Sequence, residues 1–242
     1  MPRVWPIGLV RSAIKTGETV PPLGVPASVE LFPQYAPGLH RMEKHSHVWV
    51  LAWLETAERD LLQVTPRGVS ARGAAALHGV FAVRSPARPN PIGLTVARLL
   101  RHEGARLEFD RLDFRNGTPV IDLKPYFPNR DPVFSAASGQ IGRPANVDAL
   151  RLSLLDQAAR FHGEVCEDVE RAAAVLAAFR GDILAFADPD DWRITVPIGR
   201  PHLIDAVMGA TRLTPGRGNL RFHVLDALVI EHAGARYEYS VS

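Results

Sequence analysis

Gly79-Val80-Phe81-Ala82-Val83-Arg84-Ser85-Pro86-Ala87-Arg88-Pro89-Asn90-Pro91-Ile92-Gly93-Leu94 is the stretch that decides how this chain is read. Its apolar opening, Gly79 to Val83, predicts a short strand. Arg84 and Arg88 follow among Pro86, Pro89 and Pro91, and apolar character resumes past Gly93 at Leu94. Proline fixes φ and removes a backbone donor, and glycine lets a backbone approach another surface closely. A rigid turn holding two guanidiniums is costly to specify for packing alone. It suits a grip on a small ligand that carries a carboxylate or a polar ring.

Outward from this stretch, the first half reads as strands. Val48 to Leu54 is continuously apolar, which predicts a strand buried on both faces. Leu61–Thr65, Leu94–Leu100 and Arg106–Leu112 predict further short strands between Pro and Gly punctuation. Pro66 to Leu77 reads as a loop whose alanine run forms one helical turn. Many short strands without long helices between them point to a closed or nearly closed barrel. A second informative run, Asp113-Phe114-Arg115-Asn116-Gly117-Thr118-Pro119-Val120-Ile121-Asp122-Leu123-Lys124-Pro125-Tyr126, holds an Asn-Gly turn followed by a strand. Asp122 and Lys124 alternate around Leu123 and so share one side of that strand. The same spacing places His45 and His47 together on one side of theirs.

Tyr126 to Asn146 is rich in Pro, Asn, Ser and Gly and reads as a linker. The period then becomes helical. Leu150, Leu154, Leu155, Ala158 and Phe161 mark one helix with Asn146 as its cap. Cys166, Val169, Ala173, Leu176 and Phe179 mark a second, over Glu164 to Phe179, ending before Gly181. Strands return at Leu220–Ile230 and Arg236–Val241. The expected fold is mainly β: a small closed β-barrel N-terminal domain (1–130), a linker (131–146) and a smaller α+β C-terminal domain (147–242).

The chain has 242 residues, 46% of them hydrophobic, enough for one large or two small cored domains. No apolar run approaches the roughly 18 residues of a membrane helix. The single cysteine, Cys166, excludes an internal disulfide framework and fits a reducing cytoplasm. The expectation is a soluble, cytoplasmic protein that binds no membrane. The net charge of +2 hides an asymmetry: Lys+Arg to Asp+Glu is 18 to 12 over residues 1–145 and 10 to 14 over 146–242. Any polyanion would meet the first half. Arginine outnumbers lysine 25 to 3, and no lysine-rich stripe or RNA-reading aromatic motif accompanies it.

Together with Trp5-Pro6-Ile7-Gly8-Leu9-Val10-Arg11-Ser12, Val29-Glu30-Leu31-Phe32 and His45-Ser46-His47-Val48-Trp49-Val50-Leu51, the two runs resemble one family. It is the small β-barrel, S-adenosylmethionine-dependent methyltransferases typified by the bacterial tRNA N6-threonylcarbamoyladenosine methyltransferase, and the resemblance covers Pro2 to about Asn129. It implies S-adenosylmethionine as cofactor, tRNA as partner, a homodimer, and N6-methylation of threonylcarbamoyladenosine next to the anticodon. A sensor of S-adenosylmethionine, or a methyltransferase acting on a small molecule with the C-terminal domain as regulator, is the alternative. By resemblance Arg84, Leu94, Leu112 and Asp113 line the cofactor pocket. Leu54 and Leu94 sandwich the adenine, Asp113 or a backbone carbonyl accepts from its amino group, and Arg84 pairs with the methionine carboxylate. Glu55, Arg88 and Asn90 complete the cofactor set. Asp122 is the candidate to orient or deprotonate an acceptor N–H, and Lys124 to hold a phosphate or carboxylate; an exposed ion pair at a strand end reads equally from the same two residues. The family's early Pro-Arg-Gln string is here Val20-Pro21-Pro22-Leu23, and its Phe-His after the Trp strand is Leu54-Glu55.

In the second half, Phe161-His162-Gly163-Glu164-Val165-Cys166, Ile204-Asp205-Ala206-Val207-Met208-Gly209-Ala210-Thr211 and Gly216-Arg217-Gly218-Asn219-Leu220 resemble the small E-type domains of formylmethanofuran dehydrogenase. The resemblance implies a zinc site built from a His-Gly-His-x-Cys string and further cysteines. Here Glu164, His202 and Ala210 stand at three of those ligand positions. His162, Cys166 and His202 remain as nitrogen and sulfur donors suited to zinc. A lone cysteine on an apolar helix face is more often a small core hydrophobe. No metal is therefore expected, and the domain reads as a packing or dimerisation unit.

Overall fold

The computed structural model describes residues 3–241, so Met1, Pro2 and Ser242, at the outer ends of the two expected domains and of the resemblance, lie outside the described residues. The chain divides into two compact units, one holding residues up to Pro66 with Arg72–Val133, the other Arg67–Ala71 with the residues from Phe134 onward.

The first unit is a closed barrel of six strands, β1 (Gly8–Ser12), β2 (Val25–Leu31), β3 (His47–Trp53), β6 (Ile92–Glu103), β7 (Arg106–Leu112) and β8 (Pro119–Pro125), in the order β1-β2-β7-β6-β3-β8. Every neighbouring pair is antiparallel, and β8 returns to pair with β1. Register shifts interrupt the β2–β7, β3–β8 and β6–β7 ladders, as bulges do where a sheet bends into closure. Inward side chains alternate along each strand: Val48, Val50 and Ala52 of β3, with Leu107 and Phe109 of β7, are buried. A small two-stranded sheet, β4 (Gln63–Val64) with β5 (His78–Gly79), lies in the long connection between β3 and β6.

The second unit packs three helices, α1 (Val147–His162), α2 (Glu167–Asp182) and α3 (Pro201–Thr211), around a core with a four-stranded sheet. Its strands β9 (Trp192–Pro197), β10 (Leu220–His223), β11 (Ala227–His232) and β12 (Ala235–Ser240) run in the order β10-β9-β11-β12. The β9–β10 pair is parallel, with α3 in the crossover, and the others are antiparallel. Asn146 caps α1 as expected, its Oδ1 accepting from the Ala149 N–H at 2.9 Å.

Several expectations change. The apolar run Val48–Leu54 is not buried on both faces; Trp49, Leu51 and Trp53 alternate outward and are half-exposed. One face of a barrel strand must point out, and here that face is also apolar. The strand expected at Gly79–Val83 ends at Gly79, after which the chain turns, although Val80 is fully buried. Leu61–Thr65 contributes only Gln63–Val64. His45 closes a 3-10 turn, so His47 alone lies on the strand. The second helix spans Glu167–Asp182, runs through Gly181, and has Cys166 at its N-cap rather than on its apolar face. The expected strand Leu220–Ile230 is two strands separated by Val224–Asp226, and β9 and α3 were not anticipated.

Gly209 of α3 faces α1, and a Cβ there would lie 2.5 Å from Phe161 Cβ and 3.1 Å from both Ala158 Cα and Gln157 O. Alanine in a helix interior is ordinarily worth up to about 1 kcal/mol over glycine. The clash is with a main chain that cannot swing aside. Gly209→Ala is therefore expected to lose about 1–3 kcal/mol, the overpacking range, in urea denaturation of the full chain.

Candidate functional site

The arginine loop is a folded element rather than a free excursion. Val80 N–H donates to Leu62 O at 3.0 Å, Leu54 N–H to Pro91 O at 2.8 Å and Arg88 N–H to Glu58 O at 3.0 Å. The Arg88 guanidinium turns back on its own loop, donating to Ser85 O at 3.2 Å and Val80 O at 3.1 Å. It therefore holds the loop together rather than waiting for a ligand. Arg59 donates to Pro89 O at 3.0 Å and lies over the Trp53 ring, 5.6 Å from its centroid. That contact seats the loop against the outer face of the barrel. Arg84 is exposed and makes no hydrogen bond or ion pair among the described residues. Among the described residues, one guanidinium is structural and the other free. Asn90 is exposed too, its carbonyl accepting from Ile92 N–H at 2.8 Å.

Strand register sorts the other candidates onto two faces. Leu94 of β6 pairs with Leu51 of β3, which pairs with Asp122 of β8; the next row is Val96, Trp49 and Lys124. These side chains point outward, and neighbouring strands lie about 4.8 Å apart, so Leu94 and Asp122 sit roughly 10 Å from one another on one surface. Lys124 Nζ is 2.6 Å from Asp122 Oδ2, and both side chains are substantially exposed. Asp122 Oδ1 accepts from the Leu123 N–H at 2.9 Å. Leu94 is 41% exposed, an apolar platform beside this ion pair.

Leu54, Leu112 and Asp113 belong to the other side. Gly93 faces inward, where a Cβ would come within 2.5 Å of Phe114 Cε1 and 3.3 Å of Leu54 Cδ2. Leu54 therefore packs on the core side of β6, while Leu94 points away from it. Within one chain the two side chains therefore do not face one another across a common pocket. Leu112 is fully buried, so its side chain belongs to the core. Asp113 accepts a hydrogen bond from Thr95 Oγ1 at the end of β7, and Glu55 is exposed beyond β3. Trp49, Leu51, Trp53 and Arg59 line the outer face without having been singled out. Their signal was present, since Trp49, Leu51 and Trp53 occur at every second position.

In the second unit, His162, Cys166 and His202 converge, their ligand atoms all within 4.8 Å of one another.

With this geometry in place, comparison with known sequences is decisive for the family. The profile of the tRNA-methyltransferase O N-terminal domain matches residues 12–132. This chain belongs to that family. An S-adenosyl-L-methionine-binding protein of Archaeoglobus fulgidus is 43% identical over 130 residues, which are 52% of this chain and 90% of that protein. A second protein of the same organism, also described as S-adenosyl-L-methionine-binding, is 40% identical over 164 residues, 66% of this chain. The match spans only 43% of that relative's own length. A Pseudomonas aeruginosa protein provisionally named the S-adenosylmethionine-dependent methyltransferase RcsF is 38% identical over 148 residues, 58% of this chain and 64% of that one. The family match covers strands β2 to β8 and the loop that carries Arg84.

The two arginines separate in a stability measurement. Arg88→Ala removes two half-buried charged donors and leaves the Ser85 and Val80 carbonyls without them. It is expected to cost about 1.5–3 kcal/mol and to hasten proteolysis of the 54–91 loop. Arg84→Ala leaves denaturation unchanged.

Proposed function

We propose that this protein methylates N6 of threonylcarbamoyladenosine next to the anticodon of a tRNA, with S-adenosylmethionine as the methyl donor. Membership of the tRNA-methyltransferase O family supports an S-adenosylmethionine-dependent methyltransferase. The observation that carries the site is the exposed Arg84, without a hydrogen bond or ion pair among the described residues, in a loop whose second arginine is already spent on its own carbonyls.

In this reading Arg84 pairs with the methionine carboxylate, and Leu94 offers an apolar surface to the adenosine. Asn90, four residues before Leu94 in the chain, serves the same ligand. The sulfonium methyl is intrinsically reactive, so the protein's task is to orient the acceptor nitrogen in line and to exclude water. Asp122 takes the proton from the acceptor N–H as the nitrogen–carbon bond forms. The carbon–sulfur pair leaves with the neutral thioether. Lys124 holds the Asp122 carboxyl in place, and offers its remaining donors to a phosphate or carboxylate of the acceptor. Exposed Ile92, Leu94 and Phe81 provide the apolar surface for a homodimer, with the cofactor near the interface between the two copies.

A sensor that binds S-adenosylmethionine without transferring its methyl is favoured by one observation: Asp122 is already paired with Lys124. Incubation with labelled S-adenosylmethionine and tRNA with or without threonylcarbamoyladenosine separates the readings. Label in the modified tRNA alone is expected; label in neither tRNA, with cofactor binding intact, establishes the sensor. Arg84→Ala should weaken calorimetric S-adenosylmethionine binding about ten- to a hundredfold, the ~1.4–3 kcal/mol of a lost charge-assisted pair. Affinity for tRNA should fall steeply with added salt, since phosphate contacts release counterions.

A further inference from the structure

We propose that the second unit binds a zinc-class divalent ion through His162 Nε2, Cys166 Sγ and His202 Nδ1, with a fourth coordination position open to solvent. The three donors come from separate elements: the last residue of α1, the N-cap of α2 and the first turn of α3. Gly163, at φ +103°, ends α1 in the left-handed region and turns the chain so that Cys166 begins α2. Gly209 lets α3 lie against α1, which carries His202 to His162. Arg200, at the N-cap of α3, pairs with Asp168 in the first turn of α2 at 3.1 Å and ties the two helix starts together.

The distances suit one ion. His202 Nδ1 is 2.9 Å from His162 Nε2 and 3.9 Å from Cys166 Sγ. Zinc bonds of about 2.0–2.1 Å to nitrogen and 2.3 Å to sulfur, at tetrahedral angles, set donor separations of about 3.3 and 3.6 Å. Small side-chain rotations therefore close the set. The tautomer is prepared as well. His162 Nδ1 lies 3.2 Å from Asp205 Oδ2, so Nδ1–H donates outward and the Nε2 lone pair faces Cys166 and His202. His162 is nearly buried, Cys166 half-buried and His202 exposed, so the open position faces water.

Without an ion the arrangement is poorly satisfied. One His202 N–H must serve both a nitrogen and a sulfur. Cys166 also makes no capping hydrogen bond, although it holds the N-cap of α2. Two nitrogens and one thiolate select zinc or cobalt over calcium or magnesium, which take oxygen ligands. This replaces the expectation of a metal-free unit, and it does not depend on the methyl-transfer reading.

The test uses the untagged full chain, stripped by a chelator and titrated with Co²⁺ as a spectroscopic probe. About one ion per chain is expected, with thiolate-to-cobalt charge-transfer absorption that Zn²⁺ abolishes by displacement, and Zn²⁺ should raise the Tm. Cys166→Ser should lose the charge-transfer band. His202→Ala, at an exposed position with little packing to lose, should weaken Co²⁺ binding at least tenfold. Asp205→Asn should keep the band and weaken binding about 10–100-fold. Absence of the band in a chain whose circular dichroism is native would overturn the site. So would Cys166→Ser and His202→Ala chains that bind Co²⁺ like the unaltered one. Either result leaves an imidazole–imidazole hydrogen bond beside a thiol.

Discussion

Closure of the barrel by β1 and β8 is the constraint on which the first unit rests. The seam is short, pairing Gly8 with Val120 and Leu9 with Pro119. Its neighbours extend it: Ile7 N–H donates to Val120 O at 2.7 Å, Val10 N–H to Thr118 O at 2.9 Å and Gly117 N–H to Val10 O at 2.8 Å. The Asn116-Gly117 turn is thus part of the seam, because its backbone supplies donors and acceptors to β1. Without closure β1 and β8 would each present an open edge. The row that sets Asp122 beside Leu51 and Leu94 belongs to the β3–β8 and β3–β6 ladders, and closure leaves β8 paired on both of its edges.

The barrel was legible in the sequence because turn chemistry and apolar runs are local signals. Arg106–Leu112 and the strand after Asn116-Gly117 fall where the residues place them. Facing was harder to read. Val48 to Leu54 carries apolar side chains on both sides, so composition could not separate the core set (Val48, Val50, Ala52) from the outer set (Trp49, Leu51, Trp53). The family resemblance put Leu54 and Leu94 on one ligand, whereas in the fold Leu54 packs on the core side of β6 and Leu94 points away from it. Gly181 read as a helix stop because glycine is a weak helix former; in the fold it packs beside Phe186 and Val147, and tertiary contact overrides propensity. The crossover helix Pro201–Thr211 went unread, although Pro201 is a fitting first residue and Leu203, Ala206 and Val207 form its buried stripe.

The two arginines of the proline-rich loop show how far motif reading reaches. Sequence marks both as ligand groups because a guanidinium in a rigid turn is rarely there for packing. In the fold, Arg88 satisfies carbonyls that prolines cannot satisfy for one another, since proline lacks the N–H. A loop so poor in donors needs a side chain to fill that role. Arg84, four residues earlier, is left without a partner among the described residues because the first need is already met. The spacing could not assign the roles; the carbonyl positions do.

The short seam also has a kinetic consequence. Gly8 and Val120 are separated by more than a hundred residues, so the contact that completes the barrel is among the most distant in the first unit's sequence. At roughly 5–20 residues per second of synthesis, the ribosome delivers β8 several seconds after β1. Through that interval β1 and β2 have no closed sheet to join, and their unpaired strand edges are available to other chains. Those edges stay open until the last strand arrives, because that strand is also the lock.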